Sequence, residues 1–120
     1  MNYNNLITDV CNEFNEIKTL YTIELEKDNL DYESGPHTVF SFVFVPLLKN
    51  AIKNNDILAK KMFKYLEKME NSEDLHVSEV AEFTVLEEIA DDFSDEEVVP
   101  YMGAKTLESF NLIRRYIKGR

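Results

Sequence analysis

The chain has 120 residues, 44% of them hydrophobic and 30% charged, with 13 Lys and Arg against 23 Asp and Glu for a net charge of -10. That length sets one domain around one core, and the apolar content is too high for a disordered acidic tail. The acidity excludes nucleic acid as a direct ligand, because phosphate repels such a surface. No apolar run reaches the roughly 20 residues of a membrane span; the longest, Val39 to Leu48, is broken by Ser41 and Pro46. No cationic, apolar leader opens the chain, and Cys11 is the single Cys, so no intrachain disulfide forms. The expectation is a cytoplasmic protein that makes no membrane contact.

In chain order, the first predicted helix carries Tyr3, Leu6, Ile7, Val10, Phe14, Ile17 and Tyr21 at three- and four-residue steps on one face. Asn12, Glu13, Asn15, Glu16 and Lys18 fall on the other. Residues 22 to 35 lose that period. Thr22 to Glu26 reads as a short strand or the frayed helix end, and the polar stretch to Gly35 reads as a loop of a length often functional. A second helix starts at Pro36, which loses no hydrogen bond at a helix's first position. Val39, Phe40, Val43, Phe44, Leu47, Leu48, Ala51 and Ile52 form its apolar face, a strand is the rival for Thr38 to Val45, and Pro46 should kink it.

The third helix is capped by Asn55 or Asp56, with Leu58, Ala59, Met62, Phe63, Leu66 and Met69 inward. The fourth runs from about Leu75 to Asp92. Its apolar residues wrap most of the circumference, as in a central helix. Ser94-Asp95-Glu96-Glu97 starts another helix with acids at the positive dipole end. A last helix begins near Thr106, with Leu107, Phe110, Ile113, Tyr116 and Ile117 as its stripe and Arg114, Arg115 and Lys118 in its final turns. The fold class is therefore all-α: a single domain over 1–120 of about five or six antiparallel helices, as a bundle or a short HEAT-like array. The segment from Lys61 to Asp92, a helix, a polar turn and then Val-x-x-Val-Ala-x-x-x-x-x-Leu-x-x-Ile-Ala-Asp, resembles the second half of a HEAT-type repeat.

Charge is distributed unevenly. Residues 67–97 hold thirteen acids and one base, Lys68, for a net -12; residues 1–66 net -2 and residues 98–120 net +4. One reading is a solvated face that aids solubility. The other is a docking surface, since concentrated negative potential speeds encounter with a cationic partner and rejects wrong ones. Glu79, Glu82, Glu87, Glu88, Asp91, Asp92, Asp95, Glu96 and Glu97 are the candidate partner-binding residues. Tyr32 in the 22–35 loop is a candidate interface anchor beside Tyr21 and Tyr101.

No catalytic set emerges. His37 and His76 lie in no metal-spaced cluster, and the one Glu-x-x-His, Glu73 to His76, falls in a turn. His37, near a helix start after a long loop, is either functional or a cap or packing residue. Cys11 is expected to be a buried inert thiol. Three glycines build no phosphate loop. The i, i+4 carboxylates such as Glu87 with Asp91 and Glu88 with Asp92 read as exposed decoration rather than a metal site. The sequence predicts no enzyme, no cofactor and no bound metal.

The run Ser34-Gly35-Pro36-His37-Thr38-Val39-Phe40, followed by Pro46-Leu47-Leu48-Lys49 and by Val80-Ala81-Glu82-Phe83-Thr84-Val85-Leu86-Glu87-Glu88-Ile89, resembles small acidic all-helical bacterial immunity proteins of contact-dependent and polymorphic toxin systems. The resemblance implies an immunity protein that binds a cognate basic toxin, most often a nuclease, and occludes its active site. The alternative is a helical-repeat adaptor with no toxin partner.

Overall fold

A computed structural model describes residues 1–118, with side chains through Tyr116. The described residues form seven helices and no strand. They are α1 (Leu6–Glu13), α2 (Asn15–Glu26), α3 (36–54), α4 (Asp56–Glu70), α5 (75–92), α6 (Asp95–Val98) and α7 (Ala104–Lys118). Single 3-10 turns at Tyr3–Asn5 and Val99–Tyr101 precede α1 and α7. The all-helical reading holds, and the count exceeds the expected five or six.

The added helix comes from the first segment, which is two helices and not one. Phe14 between them is extended (φ -128°, ψ 111°). Its ring is buried, edge-on to Phe44 (6.4 Å) and Tyr65 (5.6 Å). Such aromatic contacts outweigh the interrupted backbone ladder. Tyr65 also donates its hydroxyl to Asp9 at 2.6 Å, which ties α4 to α1. Thr22 to Glu26 belongs to α2, not to a strand or loop. The connecting segment is shorter than expected, turns through Asp28 at a positive φ of 60°, and buries Leu30.

Helices α3 and α5 share one feature. Each contains a π-helical turn: Phe40–Phe44 in α3 and Val80–Leu86 in α5. The backbone bonds skip one residue there, with Val45 N–H donating to Phe40 and Glu87 N–H to Glu82. One extra residue rotates the downstream face by about 100°. Val77 before the turn, Val80, Ala81, Val85 and Leu86 within it, and Ile89 and Ala90 after it thus all face the core. The helix is not apolar all round, as its spacing implied. It has one buried side, and Phe83 is turned outward. In α3 the widened turn immediately precedes Pro46, which has no N–H to continue the ladder. The two π turns pack against each other.

Helix α4 packs its inward stripe into the core, burying Leu58, Ala59, Met62, Phe63, Tyr65, Leu66 and Met69. Asn55 caps its start by accepting from Leu58 N–H at 3.1 Å. Its C-terminal end anchors α7. Glu67 accepts from Thr106 N–H and Thr106 Oγ1, both 2.8 Å, and from Lys105 N–H at 3.2 Å. A carboxylate from one helix thereby caps the positive end of another. Burial opposes ionisation of Glu67, but the bonds from Thr106, Lys105 and Asn71 more than offset it and hold the carboxyl below its ordinary value. Gly103 leaves room for this cap, since a Cβ there would lie 2.5 Å from Glu67 Cδ.

Candidate protein-docking groove

The outward-facing Phe83 borders an apolar groove on the surface. Phe83 is 58% exposed and forms one wall of a groove of about 400 Å³ between α5 and α7. Leu112 (54% exposed), Ile113 and Tyr116 form the facing wall. Glu82 and Glu87 stand on the rim, and Ser109 lies in the lining. Phe83 also borders a shallower depression with Phe42, which is 49% exposed on the π turn of α3. An apolar strip rimmed by polar groups is a recurring form of interaction surface.

A carboxyl pair underlies the groove. Ser109 Oγ donates to Glu70, with Glu82 Oε1 3.3 Å away. Burial pushes Glu70 up to about 7; the Ser109 bond works against this, and the Glu82 and Glu67 carboxyls add to it. Among the described residues, one oxygen of Glu70 is buried without a hydrogen-bond partner. A carboxyl so placed keeps its proton near neutrality.

The sequence-predicted acids fall into two groups. Lys49 from α3 pairs with Glu88 (3.1 Å) and Asp92 (2.5 Å), and these bonds outweigh burial to raise the lysine's pKa. Arg114 pairs with Asp95 at 2.8 Å and donates to the carbonyls of Ala90 and Phe93. It thereby caps the end of α5. Glu97 closes a capping box on Ser94, and Glu79 lies 3.7 Å from His76. Asp92 and Asp95, expected as free acids, are thus partly neutralised. Among the described residues, Glu87, Asp91 and Glu96 carry no ion pair. Tyr32 is 87% exposed but sits on the segment after α2 and does not line the groove. Tyr101 is no free anchor either: it bonds Asp56 at 2.6 Å and stacks on Phe63.

This chain is a member of the DUF7674 family. The family model, described as a domain of unknown function, matches residues 7–118. No curated protein and no solved structure matches the chain. The matched span of this DUF7674 domain contains both π turns, the groove and the acidic segment.

The histidines and the cysteine of this DUF7674 domain do not line the groove. His37 Nδ1 and Thr84 Oγ1 share a hydrogen bond at 2.6 Å, joining the first turn of α3 to the π turn of α5. His37 and His76, distant in sequence, flank the Tyr3 ring at 6.2 and 5.7 Å between centroids. Cys11 is buried, and burial pushes its thiol up, away from the reactive thiolate. Among the described residues, no group of three or more His, Cys, Asp or Glu is placed to hold a metal ion, and no helix is long and apolar enough to cross a membrane. Sequence reasoning missed Phe83, Leu112 and Phe42. It placed Phe83 among the apolar residues of a central helix and left Leu112 and Phe42 out of the apolar faces without giving them a role.

Proposed function

We propose that this domain is a cytoplasmic binding protein, not an enzyme, and that it captures a cationic protein through the face carrying the α5–α7 groove. The observation that supports this most is the coincidence of two features. The exposed apolar groove opens within the most acidic segment, with Glu82 and Glu87 on its rim. Apolar anchors supply residence time and surrounding charge supplies encounter rate, a combination common to tight protein–protein interfaces. The resemblance to immunity proteins makes a basic toxin domain, such as a nuclease whose own face must attract phosphate, the fitting partner. The domain would then act by occluding that toxin's active site. A helical-repeat adaptor built on the HEAT-like α4–α5 segment is the second reading, with a peptide or protein partner that is not toxic.

The test begins with a pull-down from the source cells and reconstitution of the captured protein. Replacing Glu87, Asp91 and Glu96 by Gln is expected to slow association several-fold at low salt and to flatten its salt dependence, with little change in dissociation. An unchanged on-rate would reject the electrostatic face. Expressing the captured protein alone separates the two readings: growth arrest relieved by co-expression of this chain marks immunity, and normal growth marks an adaptor.

A further inference from the structure

We propose that the α5–α7 groove receives an amphipathic helix of the partner, whose apolar side chains seat on Phe83 and Leu112 and whose Lys or Arg side chains reach Glu82 and Glu87. This rests on the binding reading above and names the element that is bound. The groove walls are two helices, and a third helix laid between them repeats the ridge-into-groove packing of a helical bundle. The Phe83 wall lies within the π turn of α5, where the ring stands off the buried side of the helix and is 58% exposed. A π turn costs hydrogen-bond geometry and recurs at functional sites.

Charge selects the occupant. Among the described residues, the polar rim of the groove consists of carboxylates with Ser109, and no Lys or Arg lines it. Glu82 and Glu87 on the rim make the local potential negative, and beneath them the Ser109 hydroxyl donates to Glu70 with Glu82 3.3 Å away. A second copy of this chain would bring Glu82 and Glu87 against their own counterparts, in a molecule of net charge -10. A helix with cations flanking its apolar stripe meets both requirements. Its lysine or arginine stems lie along the walls while their heads meet the rim.

The probe is a fluorescein-labelled synthetic peptide of about 18 residues, long enough to form a helix on binding, with Leu at i, i+3, i+7 and i+10 and flanking Lys. A matched peptide carries Glu in place of Lys. Saturable binding of the Lys peptide alone is expected, weakened about tenfold or more by Leu112→Ser and by Phe83→Ser. Both side chains are more than half exposed, so far-UV dichroism and thermal unfolding of these variants should match the parent. Methyl NMR should show shifts at Leu112 and Ile113 and none at Ile57. Equal binding of the two peptides, indifference to both substitutions, or shifts at Ile57 instead would overturn the proposal. So would a dimer of the free chain that Leu112→Ser dissociates. The groove and the wider reading fail separately: a reconstituted partner that responds to the Glu87, Asp91 and Glu96 replacements but ignores Leu112→Ser rejects the groove alone.

Discussion

Glu70→Gln should stabilise the protein in alkali and leave it unchanged in acid. Glu70 is pushed from 4.5 up to about 7 by burial, with the Glu82 and Glu67 carboxyls adding to the effect. Below about pH 4.5 the carboxyl is neutral in both the folded and the unfolded chain and contributes no difference. Between that pH and about 7, the unfolded chain ionises while the native one keeps its proton, so native stability falls as pH rises. Above about 7 the native group ionises too, and the full penalty is present. The shift corresponds to about 3 kcal/mol. Part of the side chain still meets solvent, and screening reduces the expected effect to about 1–2 kcal/mol. Gln stays neutral at every pH and still accepts from Ser109. Urea denaturation at about pH 8 should therefore show the variant more stable by about 1–2 kcal/mol, with a melting temperature higher by about 5 °C. At about pH 4 the two curves should coincide. A variant less stable at pH 8, or one shifted equally at both pH values, would refute the assignment of Glu70 as a strained buried acid.

Two other sites allow equally direct tests. Gly103→Ala places a Cβ 2.5 Å from Glu67 Cδ and should displace the carboxylate from the start of α7, costing about 1–2 kcal/mol in urea denaturation. Adding Glu67→Ala should then cost little more, because both act on one cap; strict additivity would disprove the shared mechanism. Burial first, and the bond to Asp9 second, hold Tyr65 protonated far above the usual tyrosine range. Its phenolate absorbance should appear in alkali only together with the far-UV unfolding signal, and Tyr65→Phe should cost about 1–2 kcal/mol. A full six-tyrosine titration completed while the helices remain folded would refute that burial.

The sequence was most legible where local rules act alone. Asn55 as a cap, Ser94 with Glu97 as a capping box, Pro36 at a first helical position and the inward stripe of α4 all follow from chemistry within one turn of chain. It was least legible where tertiary contacts override those rules. The spacing of Leu6, Val10, Phe14 and Ile17 is continuous, yet the backbone opens at Phe14 because the ring is worth more against Phe44 and Tyr65 than in an unbroken helix. The π turn of α5 did leave a trace. A stripe that seems to circle a helix is also what two α-phased stripes produce when one residue is inserted between them, and the step from Ala81 to Leu86 is where they join. That reading converts Phe83 from a core residue into an exposed one. The same substitution then has opposite meanings on the two accounts. As core, Phe83→Ser would cost several kcal/mol of stability. As a groove wall it leaves stability within about 0.5 kcal/mol and removes binding, so one melting curve decides between a surplus of packing and a surface held open for a partner.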